Sequence, residues 1–258
     1  MKIMLKNCGS GIGWFLLILL MPITSVAQVN TDVFITDYKK TGYFQSADLA
    51  TRIEGGNYES FHIDASYRGD YVQPEYILFT VLNYHKKYSQ DVLSKEKGFA
   101  YFKYQKNIVP GLKLEVFAQR EFNAFTRLLE RNLLGVGLRH PVLEHECLSM
   151  FMGISLMSEH EGYSIDDDRK NYDRLRNSNY ISINSKISDT VLVNYTNYFQ
   201  FNVSDFSDFR YLGDGQLRFL IFPRITLVLN AKIKYDAYPI TKLKAYDFNF
   251  IQGISFDL

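Results

Sequence analysis

From about residue 44 to the end of the chain, polar and apolar residues alternate with period two in stretches of ten or more, and no apolar stripe of helical spacing reaches a useful length. Period two marks a strand with two unlike faces. The last stretch is the clearest: Tyr246, Phe248, Phe250, Ile254, Phe256 and Leu258 share one face, broken by Gln252, while Asp247, Asn249, Ser255 and Asp257 share the other. Similar ladders set Ile225, Leu227, Leu229 and Ile233 against Asn230, Lys232 and Lys234, and Leu112, Leu114 and Val116 against Lys113, Glu115 and Gln119. Twelve such segments are predicted, over 44–53, 58–69, 74–86, 96–106, 112–122, 130–139, 147–159, 175–187, 190–203, 208–221, 225–236 and 245–258. A count of ten follows if 44–53 or 130–139 does not belong to the set.

The connections are expected to alternate in length. Short ones are predicted at Gly69-Asp70, Val109-Pro110-Gly111, Ser188-Asp189 and Phe222-Pro223-Arg224, and longer polar ones at Lys87 to Lys95, Glu161 to Asp173 and Ala237 to Lys244. Ahead of the ladders, Lys2 and Lys6 precede an apolar run from Ile12 to Met21, and Ser25-Val26-Ala27 follows Pro22 with small residues where signal peptidase reads. This is the pattern of a secretory signal peptide cut after Ala27, the apolar run being well short of the ~20 residues that span a bilayer as a helix. Residues 28–43 are then a periplasmic lead-in, and 44–258 the strand domain.

An exported chain with an even number of long strands, one apolar and one polar face, and alternating short and long connections predicts a closed antiparallel up-and-down transmembrane β-barrel in the bacterial outer membrane. Closure satisfies every backbone polar group in hydrocarbon, and apolar residues then face lipid while polar ones line the lumen. A soluble sandwich or barrel shows the same alternation with its apolar face inward. Strands of ten to fourteen residues favour the membrane form over the five or six usual in soluble sheets. The apolar final strand is the expected handle for the barrel assembly machinery, and lipid and lipopolysaccharide are the expected surroundings.

Composition narrows the functional classes. The chain has 29 Lys plus Arg against 28 Asp plus Glu, and loss of Lys2 and Lys6 with the signal leaves 27 against 28. A near-neutral protein with 47% apolar residues is neither a disordered tail nor a nucleic-acid-binding arm. Two cysteines offer no disulfide framework or cysteine metal cluster. The run Asp166-Asp167-Asp168 does not match a calcium-loop spacing and is neutralised by Arg169, Lys170 and Arg174, so a solvated external loop is expected there. His140 and His145 with Glu144 and Glu146 are read as a connection at the periplasmic rim. No catalytic, cofactor-binding or metal-binding residues are assigned, and the chain is not expected to be an enzyme.

The lumen carries the functional expectation. Asp64, Arg68, Glu115, Glu121, Arg131, Arg139, Lys232, Lys234 and Asp247 are predicted to point inward, with both signs mixed. A lining of one sign would argue for an ion-selective pore, whereas mixed signs imply ion pairs across a narrow lumen or a weakly selective small-solute channel. Gly135 and Gly137 on the inward face would leave room for bulky side chains such as Phe117 or Tyr198.

Residues 55–68 read GGNYESFHIDASYR and residues 104–140 include Gln119 ahead of Glu121 and then Arg131-x-Leu-x-Gly135-x-Gly137-x-Arg139. With Gly56 and Asn57, these motifs resemble the salt-induced outer-membrane protein family, domain of unknown function 481. The resemblance covers about residues 44 to 258. It implies an outer-membrane barrel of unknown activity; the expected role is a passive small-solute channel or structural envelope protein, its link to salt or osmotic stress coming from the resemblance. It supplies no catalytic residues. The alternative is a ligand-binding or lipid-acting barrel enzyme that works through its external loops.

Overall fold

The computed structural model describes residues 41–256, apart from 58, 91, 167 and 241–243. The expected signal peptide, nearly all of the lead-in, Asp167 and the terminal Leu258 lie outside the described residues. The strands are β1 (Gly42–Glu54), β2 (Ser60–Val72), β3 (Tyr76–Ser89), β4 (Val92–Val109), β5 (Leu112–Asn123), β6 (Leu128–His145), β7 (Leu148–Ile165), β8 (Asp168–Ser188), β9 (Val191–Asn202), β10 (Asp205–Phe222), β11 (Ile225–Asp236) and β12 (Tyr246–Phe256). They form one 12-stranded sheet in strict sequence order, every neighbouring pair antiparallel. Both 44–53 and 130–139 are members. Among the described residues, backbone pairing runs from β1 to β12 without a pairing between these two edges.

The sheet is curled, and its two faces have opposite chemistry. On β6, Leu134, Val136 and Leu138 are exposed while Arg131, Leu133, Gly135, Gly137 and Arg139 between them are buried. On β7, Ile154 is 56% exposed and Glu159 only 1%. Met150 and Met152 therefore belong with the outward row, and Phe151 and Met157 with the inward one. Side chains from strands far apart in the ladder meet inside the curl: the Lys103 ammonium of β4 lies 5.6 Å from the Tyr180 ring of β8, and the Tyr180 hydroxyl donates to Glu115 of β5 at 2.8 Å.

A band of apolar side chains crosses this interior. Phe79, Val81, Tyr101, Phe117, Leu133 and Met157 form one cluster, and Tyr180, Tyr198 and Leu212 another. Aromatic rings can reach inward because glycines face them. A Cβ at Gly135 would overlap the Phe117 ring, and one at Gly153 would overlap the Tyr180 ring. Phe117 thus occupies the room left by Gly135. Tyr198 instead packs on Tyr180 with ring centroids 5.2 Å apart, and the space beside Gly137 is taken by Ser155 and the backbone of Ile154.

The connections differ from expectation in four places. Lys87 to Lys95 is not a longer loop, because β3 and β4 stay paired up to Ser89 opposite Val92. Gly69 and Asp70 lie within β2, because the ladder continues to Val72 opposite Ile77; the turn falls at 73–75, where Pro74 has no N–H to give a ladder. The segment Glu161 to Asp173 is not a loop. β7 and β8 stay paired up to Ile165 opposite Asp168, so its charged residues sit on a long hairpin. The apolar alternation stops there because inward positions carry ion pairs, yet the backbone ladder needs no apolar side chain. His140 and His145 lie within β6, leaving 146–147 as the turn, and His140 Nδ1 donates to the Gly111 carbonyl at 2.7 Å.

The close fit at Gly135 predicts that Gly135→Ala lowers stability by about 1–3 kcal/mol, the cost of overpacking. Equilibrium urea unfolding in lipid should show this loss, and Phe117→Leu in the same chain should recover most of it.

Candidate functional site

Strand alternation carries Arg131 on β6, Glu159 and Glu161 on β7, Arg174 and Arg176 on β8, and Asp208 and Arg210 on β10 to one region of the interior. Arg176 is 0% exposed and Glu159 1%. An ionised carboxylate so deeply buried is tolerable only when paired and fully hydrogen-bonded. Glu159 meets this condition with three guanidinium groups: Arg131 Nε donates to it at 2.7 Å, Arg210 donates at 2.6 Å, and Arg176 Nε donates to its second oxygen at 2.5 Å. Glu161 accepts from Arg174 at 2.9 Å and from Arg210 at 3.1 Å. Asp208 accepts from Arg176 at 2.8 Å and lies 2.8 Å from Arg174 Nε. Glu121 and Asp236 close the periphery through Arg131 at 3.1 Å and Arg210 at 2.8 Å.

A second polar group sits on the other side of the aromatic band. Lys103 is 2.6 Å from Glu115, and Arg139 donates to the Tyr180 hydroxyl at 3.0 Å while lying 4.2 Å over the Phe151 ring. Above the larger network, beside the β5–β6 connection, a cavity of about 520 Å³ is walled by inward residues of both edge strands, including Asp48 of β1 and Asp247 of β12, with Arg131 and Glu161 among its lining. Shared positions on β1 and β12 bring the two ends of the ladder around one space.

A family model described as a protein of unknown function, DUF481, matches residues 47–257. The chain belongs to the DUF481 family. No curated protein matches it. Among solved structures it is similar to one described as "NanC porin structure in rhombohedral crystal form", with 10% identity over 84% of this chain and 99% of that chain and a TM-score of 0.45.

In this DUF481 protein the interior positions named from the sequence fall into separate groups. Arg131 and Glu121 join the large network. Glu115 and Arg139 meet through Tyr180 in the second group. Arg68 is bidentate to Asp70 two positions along β2, with its closest contact at 2.6 Å, and lies 5.3 Å over the Phe79 ring of β3. Lys232 is 3.2 Å from Asp214. Asp64, Lys234 and Asp247 line the cavity, Asp64 in contact with His85. Glu159, Arg174, Arg176, Asp208 and Arg210 were missed, although they form the centre. Parity along β7 carried a signal: once Met152, Ile154 and Leu156 face outward, Glu159 and Glu161 must face inward. Among the described residues no three His, Cys, Asp or Glu side chains converge as a metal site.

Removing one partner of a buried ion pair strands the other. Arg131→Ala should therefore cost about 3–5 kcal/mol, whereas Asp168→Ala on an exposed side chain should stay within about 0.5 kcal/mol. Urea unfolding of the two variants side by side checks this, and equal effects would refute the central placement of Arg131.

Proposed function

We propose that the protein is an outer-membrane β-barrel, closed between β1 and β12 in the bilayer, which serves as a structural envelope protein with an occluded lumen. The observation that carries this reading is the inversion of the two faces: apolar rows such as Leu134-Val136-Leu138 are exposed, while Arg176 and Glu159 are sealed inside. A soluble protein would bear the cost of both, and a lipid environment removes it. Every strand has at least 11 residues, sufficient for a tilted crossing of a bilayer. Closure follows from the same solvent, since an unpaired edge in hydrocarbon leaves backbone groups unsatisfied.

Occlusion is supported by the aromatic band and the two ion-paired groups, which reach into the curl from strands β3 to β11. β1 begins and β12 ends at the end where no gap between strands exceeds three residues, whereas the longer gaps, Glu54 to Ser60, Asn123 to Leu128 and Asp236 to Tyr246, all lie at the other end; we assign the first end to the periplasm. The exposed row Tyr246, Phe248 and Phe250 on β12 is then placed for the assembly machinery, and lipid and lipopolysaccharide surround the outward face. The proposal gives the protein no catalytic role. A barrel enzyme acting through external loops is not favoured, because the segment expected to be its main loop is paired strand. The link to salt or osmotic stress enters through family resemblance alone.

Refolded protein, shown to be inserted by heat-modifiable migration, should give no discrete conductance steps in a planar bilayer; stable unitary steps would overturn the occluded lumen. Phe199, which faces outward, tests the lipid contact. Phe199→Arg should cost about 2–4 kcal/mol of folding stability in bilayers if it lies near mid-membrane, and a neutral result would refute its exposure to lipid.

A further inference from the structure

The cavity beside the β5–β6 connection has the makings of a binding site that the structural role does not use. Its volume of about 520 Å³ lies within the range of small-molecule pockets, and Phe99, Phe122, Leu128 and Tyr163 give it an apolar wall. Most charges at its edge are committed to one another. Arg131 and Glu161 belong to the ionic network, Asp64 contacts His85, and Asp48 accepts from Ser66 at 3.0 Å. Lys244 lies 5.8 Å over the Tyr246 ring, and among the described residues three more lining charges, Lys97, Lys234 and Asp247, form no salt bridge.

Lys234 and Asp247 are directly opposed on β11 and β12. Opposed residues on one face of an antiparallel pair have their Cβ atoms about 5 Å apart, close enough for these two side chains to meet. They face the cavity instead of each other. Lys97 enters the same space from β4. A ligand bearing only a negative charge would find Lys234 but also the carboxylates of Glu121, Glu161 and Asp236 in the wall. A ligand bearing only a positive charge would find Asp247 but also Arg131. A molecule with both charges a few bonds apart avoids either conflict.

We propose that this cavity binds a small zwitterion with an apolar body, of the amino-acid class. Its carboxylate sits between Lys234 and Lys97, its ammonium lies on Asp247, and its apolar part packs against Phe99 and Phe122. Placing a counter-charge beside each of these groups in a confined space and covering an apolar wall are both favourable. The inference rests on the reading of the curled sheet as a closed barrel.

The test uses the mature full-length protein in non-ionic detergent micelles and equilibrium dialysis against three labelled probes of one shape: phenylalanine, 3-phenylpropionate and 2-phenylethylamine. Phenylalanine should be retained saturably at one per chain, and each single-charge analogue should bind at least about tenfold more weakly, the scale of one lost charge-assisted contact. Lys234→Gln and Asp247→Asn should each weaken phenylalanine by a similar factor while leaving heat-modifiable migration unchanged. If a variant fails to fold, the three probes on the unaltered protein still decide. Equal binding of either analogue, no saturable retention of phenylalanine, or folded variants that bind as well as the parent would overturn the proposal. Heat-modifiable migration reports on the barrel independently, so failure of the site and failure of the barrel are distinguishable.

Discussion

The fold depends on keeping charge inside. Glu159 is the pivot, held by Arg131, Arg176 and Arg210, which come from three different strands. Such an arrangement is costly to build, because each ion gives up its hydration, and costlier still to break, because a partner left alone remains buried. Its consequence is geometric. Guanidinium groups on β6, β8 and β10 converge on one carboxylate of β7, and that convergence fixes how tightly these strands curl.

The aromatic band obeys a complementary rule. A sheet this strongly curved crowds its inner face, and side chains as large as Phe117 and Tyr180 fit only where a neighbouring strand contributes no side chain at all. Gly135 and Gly153 supply those gaps. Ion pairs on one side of the band and Lys103, Glu115, Tyr180 and Arg139 on the other then give each buried polar group a partner in reach. Rings and charges together pack the concave side of the sheet between β3 and β11.

The cavity marks where this filling stops. It lies against the edge strands, where the described ladder ends and where fewer neighbours crowd the inner face. Lys97, Lys234 and Asp247 stand there with their charges uncommitted, in contrast to the saturated pairing a short distance away.

Much of this was legible in the chain. Alternation with period two set the strand count, the all-antiparallel order and the inward parity of residues such as Glu115, Arg131 and Lys234, because a strand has only two faces and one of them must be apolar. Membership of the DUF481 family was also carried by residues that stand in the sequence. Tertiary structure alone decided the partners. Arg131 pairs with Glu159 rather than with a residue across the interior, Arg68 stays with Asp70, and the polar stretch after Glu161 is a hairpin instead of a loop. Ladder hydrogen bonds continue wherever backbone meets backbone, with no need of an apolar pattern to announce them. Which charges meet inside depends on the stagger and curl of the whole sheet, and no single strand contains that information.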